Sequence, residues 1–284
     1  MNKKPILISA DSTCDLSAEL LQKYNIATLP LYVIHEGQAY KDGVDLTPDE
    51  LYAKVKASGK LGSTAAINVD EYLTFFTARR EECDTVIHFT ISSEMSSCYQ
   101  NACIAAEEVG GVYVIDSRSL STGIGLLVLR ACELAEKGMA AEVIVSAIRE
   151  MCGRVEATFV PESLEYLKMG GRCSAAAALG ANLLRIKPCI QVKDGVMGVG
   201  KKYTGNMEVV LTKYVGDRLR EPETLDLSRV FITHSGMTNP AIVEKVKEAV
   251  LTVAPFEEVL EARAGCTISN HCGPNTLGVL FCRK

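Results

Sequence analysis

Four hydroxyls fall within six consecutive positions of the segment ISSEMSS, as Ser92, Ser93, Ser96 and Ser97, directly after the apolar run TVIHFTI. Serine brings no charge and no redox chemistry; it brings a hydroxyl, and a helix N-terminus beside it brings unpaired backbone N–H groups. If a helix opens near Ser96, its first-turn donors and the four hydroxyls gather at one place, which is the chemistry of a small anion site. A helix cap explains one of these serines and turn preference another, so four exceed what local structure needs.

Two more hydroxyl-bearing stretches stand in comparable places. GSTAAIN, residues 62–68, precedes a helix start at Asn68 and taken alone reads as a flexible loop. DSRSLSTGIG, residues 116–125, follows the apolar run VYVID, where a cap and close-packing glycines would explain it locally. His271 in SNHCGPNTLG reads as part of a turn between strands, flanked by Gly273 and Pro274, from which it could donate to an anion whether charged or neutral. His234 ends a strand in THSG and is a weaker candidate, and His88 inside a strand reads as a satisfied core residue. Cys266, His271 and Cys272 match no usual zinc spacing, so no metal site is expected. GVMGVGKK, residues 195–202, fits the first seven positions of the phosphate loop GxxxxGK[ST], but Lys202 stands where a hydroxyl should hold magnesium. Asp194-Gly195 is moreover a hairpin signal, so nucleotide binding is not expected there and no cofactor is implied.

These groups need elements to position them. KPILISA, IATLPLYVI, DTVIHFTI and VYVID read as strands, separated by helices in LSAELLQKYN, TPDELYAKVKAS, NVDEYLTFFTARREE and CYQNACIAAEEV. Thr47 with Glu50, and Asn68 with Glu71, have capping-box spacing, and Pro48 suits a first helical position. Near-continuously apolar strands alternating with helices imply a parallel sheet covered on both faces, with ligands bound beyond the strands' carboxyl ends, where ISSEMSS lies. LSTGIGLLVLRACELAEKG reads as a long apolar helix and AAEVIVSAIREMCGRV as a linking one. After it come the strand EATFVPE, the segment SLEYLKMGGR, the small-residue helix AAAALGANLLRI and a hairpin in KPCIQVKDGVMGVG. Helices in NMEVVLTKYVGDRL and NPAIVEKVKEAVLTV and strands in SRVFITHS, FEEVLEARA and TLGVLFCRK complete the chain. The expected fold is α/β in two domains, 1–153 with a parallel sheet flanked by helices and 154–284 with a mixed or antiparallel sheet.

Composition narrows the classes. The chain of 284 residues, 48% hydrophobic and 23% charged, can bury a substantial core and exceeds the roughly 100 to 200 residues of one domain. Its net charge of -5, with acidic and basic residues interspersed, offers no basic stripe for nucleic acid. Eleven cysteines without a CxxC pair suggest neither a disulfide framework nor a zinc knuckle. The apolar patch near the N-terminus is too short for a signal core and no run is long enough to span a membrane, so a cytoplasmic protein is expected.

The motifs DSTCDL (Asp11 to Leu16), ISSEMSSCYQNA, DSRSLSTGIG, SLEYLKMGGR (Ser163 to Arg172), KPCIQVKDG and HCGPNTLG (His271 to Gly278) occur in an order and spacing that resemble the DegV family of fatty-acid-binding proteins over nearly the whole chain. The resemblance implies two α/β domains around a buried acyl chain, and a noncatalytic protein that presents the fatty acid to a separate fatty acid kinase for phospholipid synthesis. By motif it places Ser93 and its neighbours Ser92, Ser96 and Ser97 at the carboxylate, with Ser63 or Thr64 and His271, and puts Arg172 toward the mouth as a phosphate contact. The small helix AAAALGANLL would line the tunnel or serve only close packing. Departures are Gly62-Ser63-Thr64-Ala65 for Thr-Ser-Gln-Pro, Ser97 and Asn275 for glycines, and Tyr203 for an arginine implicated in kinase contact. Two alternatives stay open: a small-substrate subunit of dihydroxyacetone-kinase type using His271, and a lipid carrier without a kinase partner.

Overall fold

The computed structural model describes residues 4–178 and 186–284. Its first half runs β1 (Lys4–Asp11), α1 (Ala18–Lys23), β2 (Ala27–Leu29), β3 (Tyr32–His35), β4 (Gln38–Lys41), α2 (Pro48–Ser58), β5 (Ser63–Ala65), α3 (Val69–Glu82), β6 (Cys83–Thr90), α4 (Cys98–Val109), β7 (Val112–Asp116), α5 (Thr122–Glu136) and α6 (Ala141–Cys152). The second half runs β8 (Val155–Val160), α7 (Glu165–Gly170), α8 (Ser174–Ala178), β9 (Ile186–Lys193), β10 (Val196–Thr204), α9 (Met207–Arg218), β11 (Leu225–His234), α10 (Ala241–Val253), β12 (Glu258–Arg263), α11 (Cys266–Cys272) and β13 (Leu277–Arg283).

Apolar strands joined by helices form a parallel four-stranded sheet in the order β2-β1-β6-β7. Both helix starts carry complete capping boxes, Thr47 with Glu50 on α2 and Asn68 with Glu71 on α3, each cap being worth about 1 kcal/mol. The later strands form a mixed six-stranded sheet, β10-β9-β8-β13-β11-β12, in which only β11 and β12 run parallel. The residues 195–202 that echo a phosphate loop lie in the turn and first part of β10, and Asp194 and Gly195 make the hairpin turn with positive φ.

Three expectations change. IATLPLYVI is not one strand: Pro30, which lacks an N–H to donate, separates β2 from β3, and β3 leaves the parallel sheet for a small antiparallel sheet, β4-β3-β5. The stretch read as a loop at 62–68 supplies β5 to that sheet. SNHCGPNTLG is not simply a turn, because Cys266–Cys272 forms helix α11, which ends at Gly273 with φ 73°. α8 opens the expected small-residue helix, and the remainder of AAAALGANLL lies outside the described residues.

α5 joins the two sheets. Every residue from Thr122 to Leu129 is buried, and the helix packs on β1 and β6 from one side and on β8, β11 and β13 from the other. Close approach requires glycine: a Cβ on Gly125 would stand 2.8 Å from Leu16 Cδ2 and 3.1 Å from the Cys14 carbonyl. Gly216, on the exposed face of α9, has nothing within 4 Å of such a Cβ. Urea unfolding should therefore separate two substitutions. Gly125→Val overpacks the junction and lowers stability by about 1–3 kcal/mol, whereas Gly216→Ala raises it by about 0.5–1 kcal/mol.

Candidate functional site

A cavity of about 140 Å³ opens where the carboxyl end of the parallel sheet meets the second half of the chain. Its apolar wall includes Leu31, Ile91, Met95, Leu120, Met197 and Ile268; Thr64, Ser96, Ser97, Arg172, Thr267 and His271 bring polar groups. Behind it lies a second cavity of about 30 Å³, bounded by Phe159, Thr233, Gly278 and Leu280, and Leu120, Ile268 and Cys272 line both.

Each polar group is held by a different element. Thr64 is the central residue of β5, so its side chain faces opposite to those of its neighbours Ser63 and Ala65. Ser96 and Ser97 lie in the turn between β6 and α4, where Ser96 N donates to the Ser92 carbonyl at 3.2 Å. α4 begins at Cys98, two residues later than Ser96, and the Ser97 side chain caps none of its first-turn N–H groups. Thr267, Ile268, His271 and Cys272 share one face of α11, the spacing i, i+1, i+4, i+5 of a helix.

His271 Nε2 and Thr64 Oγ1 are 2.8 Å apart. The ring's Nδ1 is enclosed without a hydrogen-bond partner, as is Thr267 Oγ1. Gly170 makes the enclosure possible, since a Cβ there would lie 2.2 Å from His271 Nδ1. Burial, and secondarily the positive charge of Arg172, push the His271 pKa down to about 4, so the ring is neutral at physiological pH. Arg172 is itself exposed at the cavity and donates Nη1–H to the Gly170 carbonyl at 2.9 Å. The arrangement is a set of neutral donors and apolar side chains lining one space, with one exposed cation, Arg172, among them.

The structure brings Thr64, Ser96, Ser97, Arg172 and His271 to this cavity and places the other expected residues elsewhere. Ser92 is buried and donates its hydroxyl to the Gly195 carbonyl at 2.8 Å. Ser93 is exposed, donating Oγ–H to Asp116 at 2.6 Å and accepting from Arg118 at 3.2 Å. Ser63 is exposed on β5 and does not line the cavity. His88 is a fully buried core residue between Ser9 and Asp11, and His234 pairs with Glu261 at 3.2 Å beside the second cavity. Thr267, Met95 and Met197 escaped sequence reasoning; the helical spacing of α11 was the signal for Thr267.

The departures have local explanations. A side chain at Gly62 would meet Asn270 Oδ1 at 2.8 Å, and Asn270 Nδ2 donates to the Gly62 carbonyl. Ser97 has φ -78°, which needs no glycine. Asn275 has φ 56° and ties Glu162 and Thr238 through its amide. Tyr203 is buried against Tyr214 in the second half's core. Among the described residues no cluster of three or more His, Cys, Asp or Glu could hold a metal, and no helix is long and apolar enough to cross a membrane.

The family model of DegV, described as a family of uncharacterised proteins, matches residues 5–284. A DegV domain-containing protein of Caldanaerobacter subterraneus is 31% identical over 281 residues, covering 98% of this chain and 99% of that one. A solved DegV family protein from Thermus thermophilus, described for its fatty acid binding, superposes with a TM-score of 0.90 at 30% identity, covering 99% of this chain and 100% of that one. A stearic-acid-binding protein from Eubacterium ventriosum superposes at 0.84 with 27% identity, covering 100% of this chain and 99% of that one.

The neutral buried His271 makes stability depend on pH. Its pKa is about 6.5 in an unfolded chain and about 4 when folded, so the unfolded state binds more protons between these values. Stability from this group is fully present above pH 6.5 and is lost as pH falls toward 4, on the order of 3 kcal/mol in all. His271→Gln should flatten the unfolding free energy against pH between 4 and 6.5 relative to the unmodified protein; an unchanged slope would show that the ring is not buried neutral.

Proposed function

We propose that this chain, which belongs to the DegV family, binds a long-chain fatty acid with its carboxylate among Thr64, Ser96, Ser97 and His271 and presents that carboxylate to a separate kinase. The observation that carries the reading is the mixed lining of the cavity, in which hydroxyls and a neutral imidazole stand among apolar side chains, with a second cavity sharing Leu120, Ile268 and Cys272 as walls. The fatty-acid-binding neighbours from Thermus thermophilus and Eubacterium ventriosum support the ligand class. Movement of Leu120 and Ile268, which stand in both cavity walls, would join the two spaces into one path toward Phe159 and Leu280.

Affinity and orientation divide between the two ends. Each methylene transferred from water contributes about 0.8 kcal/mol, or roughly 11 kcal/mol gross for fourteen, before the costs of association. A hydrogen bond to a charged group contributes about 1.5–3 kcal/mol, enough to orient the acid but not to hold it alone. Arg172, an exposed residue of the cavity lining, would meet the phosphate of an incoming nucleotide or acyl phosphate. Tyr203, buried in the core, supplies no surface cation for a kinase, so this role falls to Arg172. The division into domains 1–153 and 154–284 accords with a ligand enclosed between them. A small-substrate kinase subunit is less well supported, because His271 faces the hydroxyl of Thr64 and not a carboxylate that could tune it as a base.

Mass spectrometry of small molecules released from the denatured protein should find near-stoichiometric long-chain fatty acid. Protein that is empty, and stays empty after incubation with a fatty acid mixture, would overturn the reading. In titrations of delipidated protein with palmitate, Ser96→Ala should weaken binding roughly 5- to 30-fold, the equivalent of about 1–2 kcal/mol. Ser93→Ala should leave it within about twofold, because that hydroxyl is engaged by Asp116 outside the cavity. With an acyl-phosphate-forming kinase present, Arg172→Ala should lower product formation more than palmitate binding; equal losses would argue against a presenting role.

A further inference from the structure

The motif DSTCDL touches no ligand-facing surface as a whole, yet its side chains reach three separate walls of the cavity. Asp11 accepts from Ile91 N at 3.2 Å and from Tyr72 OH at 2.7 Å, and so fixes the start of the serine segment. Ser12 Oγ accepts from Leu31 N and donates to Asp42, both at 3.1 Å. Asp15 accepts from Gly265 N at 2.9 Å and from the Ser121 hydroxyl. Asp42, from the chain just after β4, accepts from Cys266 N at 2.6 Å and Thr267 N at 3.2 Å. Two carboxyls of the first half thus take up the N–H groups at the start of α11, the helix whose other end carries His271.

We infer that Asp42 and Asp15 are positioning residues of the head-group site, holding α11 and through it His271 against Thr64. The inference rests on the fatty acid reading of the cavity. Three observations support it independently of that reading. Gly265 fits between the two carboxyls with no room to spare: a Cβ there would lie 3.0 Å from Asp42 Oδ1 and 3.1 Å from Asp15 Oδ1. Asp15 and Ser121 both hold the backbone at positive φ, 50° and 53°, a strain that non-glycine residues keep only where the surroundings impose it. Burial pushes the Asp15 carboxyl up to about 8, so at neutral pH the pair does not stand as two adjacent anions. α11 has only seven residues and is anchored at its N-terminal end by these bonds. A shift there moves His271 relative to β5, which belongs to a different sheet.

The test compares palmitate with 1-hexadecanol, which shares the chain and lacks the carboxylate, on delipidated full-length protein. Asp42→Asn keeps the shape but turns an amide toward the helix N–H groups; Gly265→Ala pushes both carboxyls outward without removing either. Each should weaken palmitate binding about tenfold and hexadecanol binding by less than twofold. Equal weakening of both probes would overturn the inference, since it would mark a general loss of structure. The imidazole nitrogen signals of His271 in the ligand-free protein give a second readout and should move in both variants. Unmoved signals would overturn the inference even if the unmodified protein bound neither probe, an outcome that would instead count against the fatty acid reading.

Discussion

The structure depends on one helix that is buried from both sides. α5 is apolar around most of its circumference, and a helix of that kind is stable only inside a protein. The parallel sheet covers one flank and the mixed sheet the other, so neither half of the chain completes its core without this helix. Gly123 and Gly125 let β8 and the Cys14–Leu16 segment approach its first turns. The cavities lie at the same N-terminal end, where Leu120 stands in both walls. What binds the halves together therefore also sets the depth of the space between them.

Within that space the choice of neutral polar groups follows from solvation. A cation buried in an apolar cavity would cost several kcal/mol of lost hydration, and Arg172, the one cation lining it among the described residues, stays exposed. A neutral imidazole and hydroxyls can be buried at far lower cost and still donate when an anion arrives. His271 Nδ1 and Thr267 Oγ1, both enclosed and unpaired, are groups for which a bound polar atom would recover a lost hydrogen bond.

Much of the architecture was legible because the local signals agreed with the global fold. Capping boxes at Thr47 and Asn68, the Asp194-Gly195 turn, and the apolar runs of β1, β6 and β7 all specify the same elements by themselves. The small sheet β4-β3-β5 was not legible, because strands of three and four residues carry too little alternation to be distinguished from loop. α11 was hidden by the Gly273-Pro274 pair, which marks the end of a short helix as readily as a turn. Of the site, the hydroxyl-rich segments and His271 could be picked out from residue type. Which serine faces inward could not, since that is decided by two residues of helix register at Ser97 and by a hairpin more than ninety residues further along the chain.

That hairpin explains the crowding of hydroxyls. Ser92 and Ser93 are occupied with structure: one takes the Gly195 carbonyl, the other Asp116 and Arg118, whose guanidinium also reaches the Asp194 carbonyl. Ser96 and Ser97 line the cavity, the Ser96 hydroxyl also accepting from Cys98 N at 3.3 Å and donating to Cys98 Sγ at 3.2 Å. Two residues beyond Gly195 on the same strand, Met197 closes part of the cavity wall. The first pair of serines thus holds in place the strand that roofs the second pair. A short segment with only one pair could supply a wall or fasten the covering strand, but not both, and the four hydroxyls divide between these tasks while Ser96 also takes the first N–H of α4.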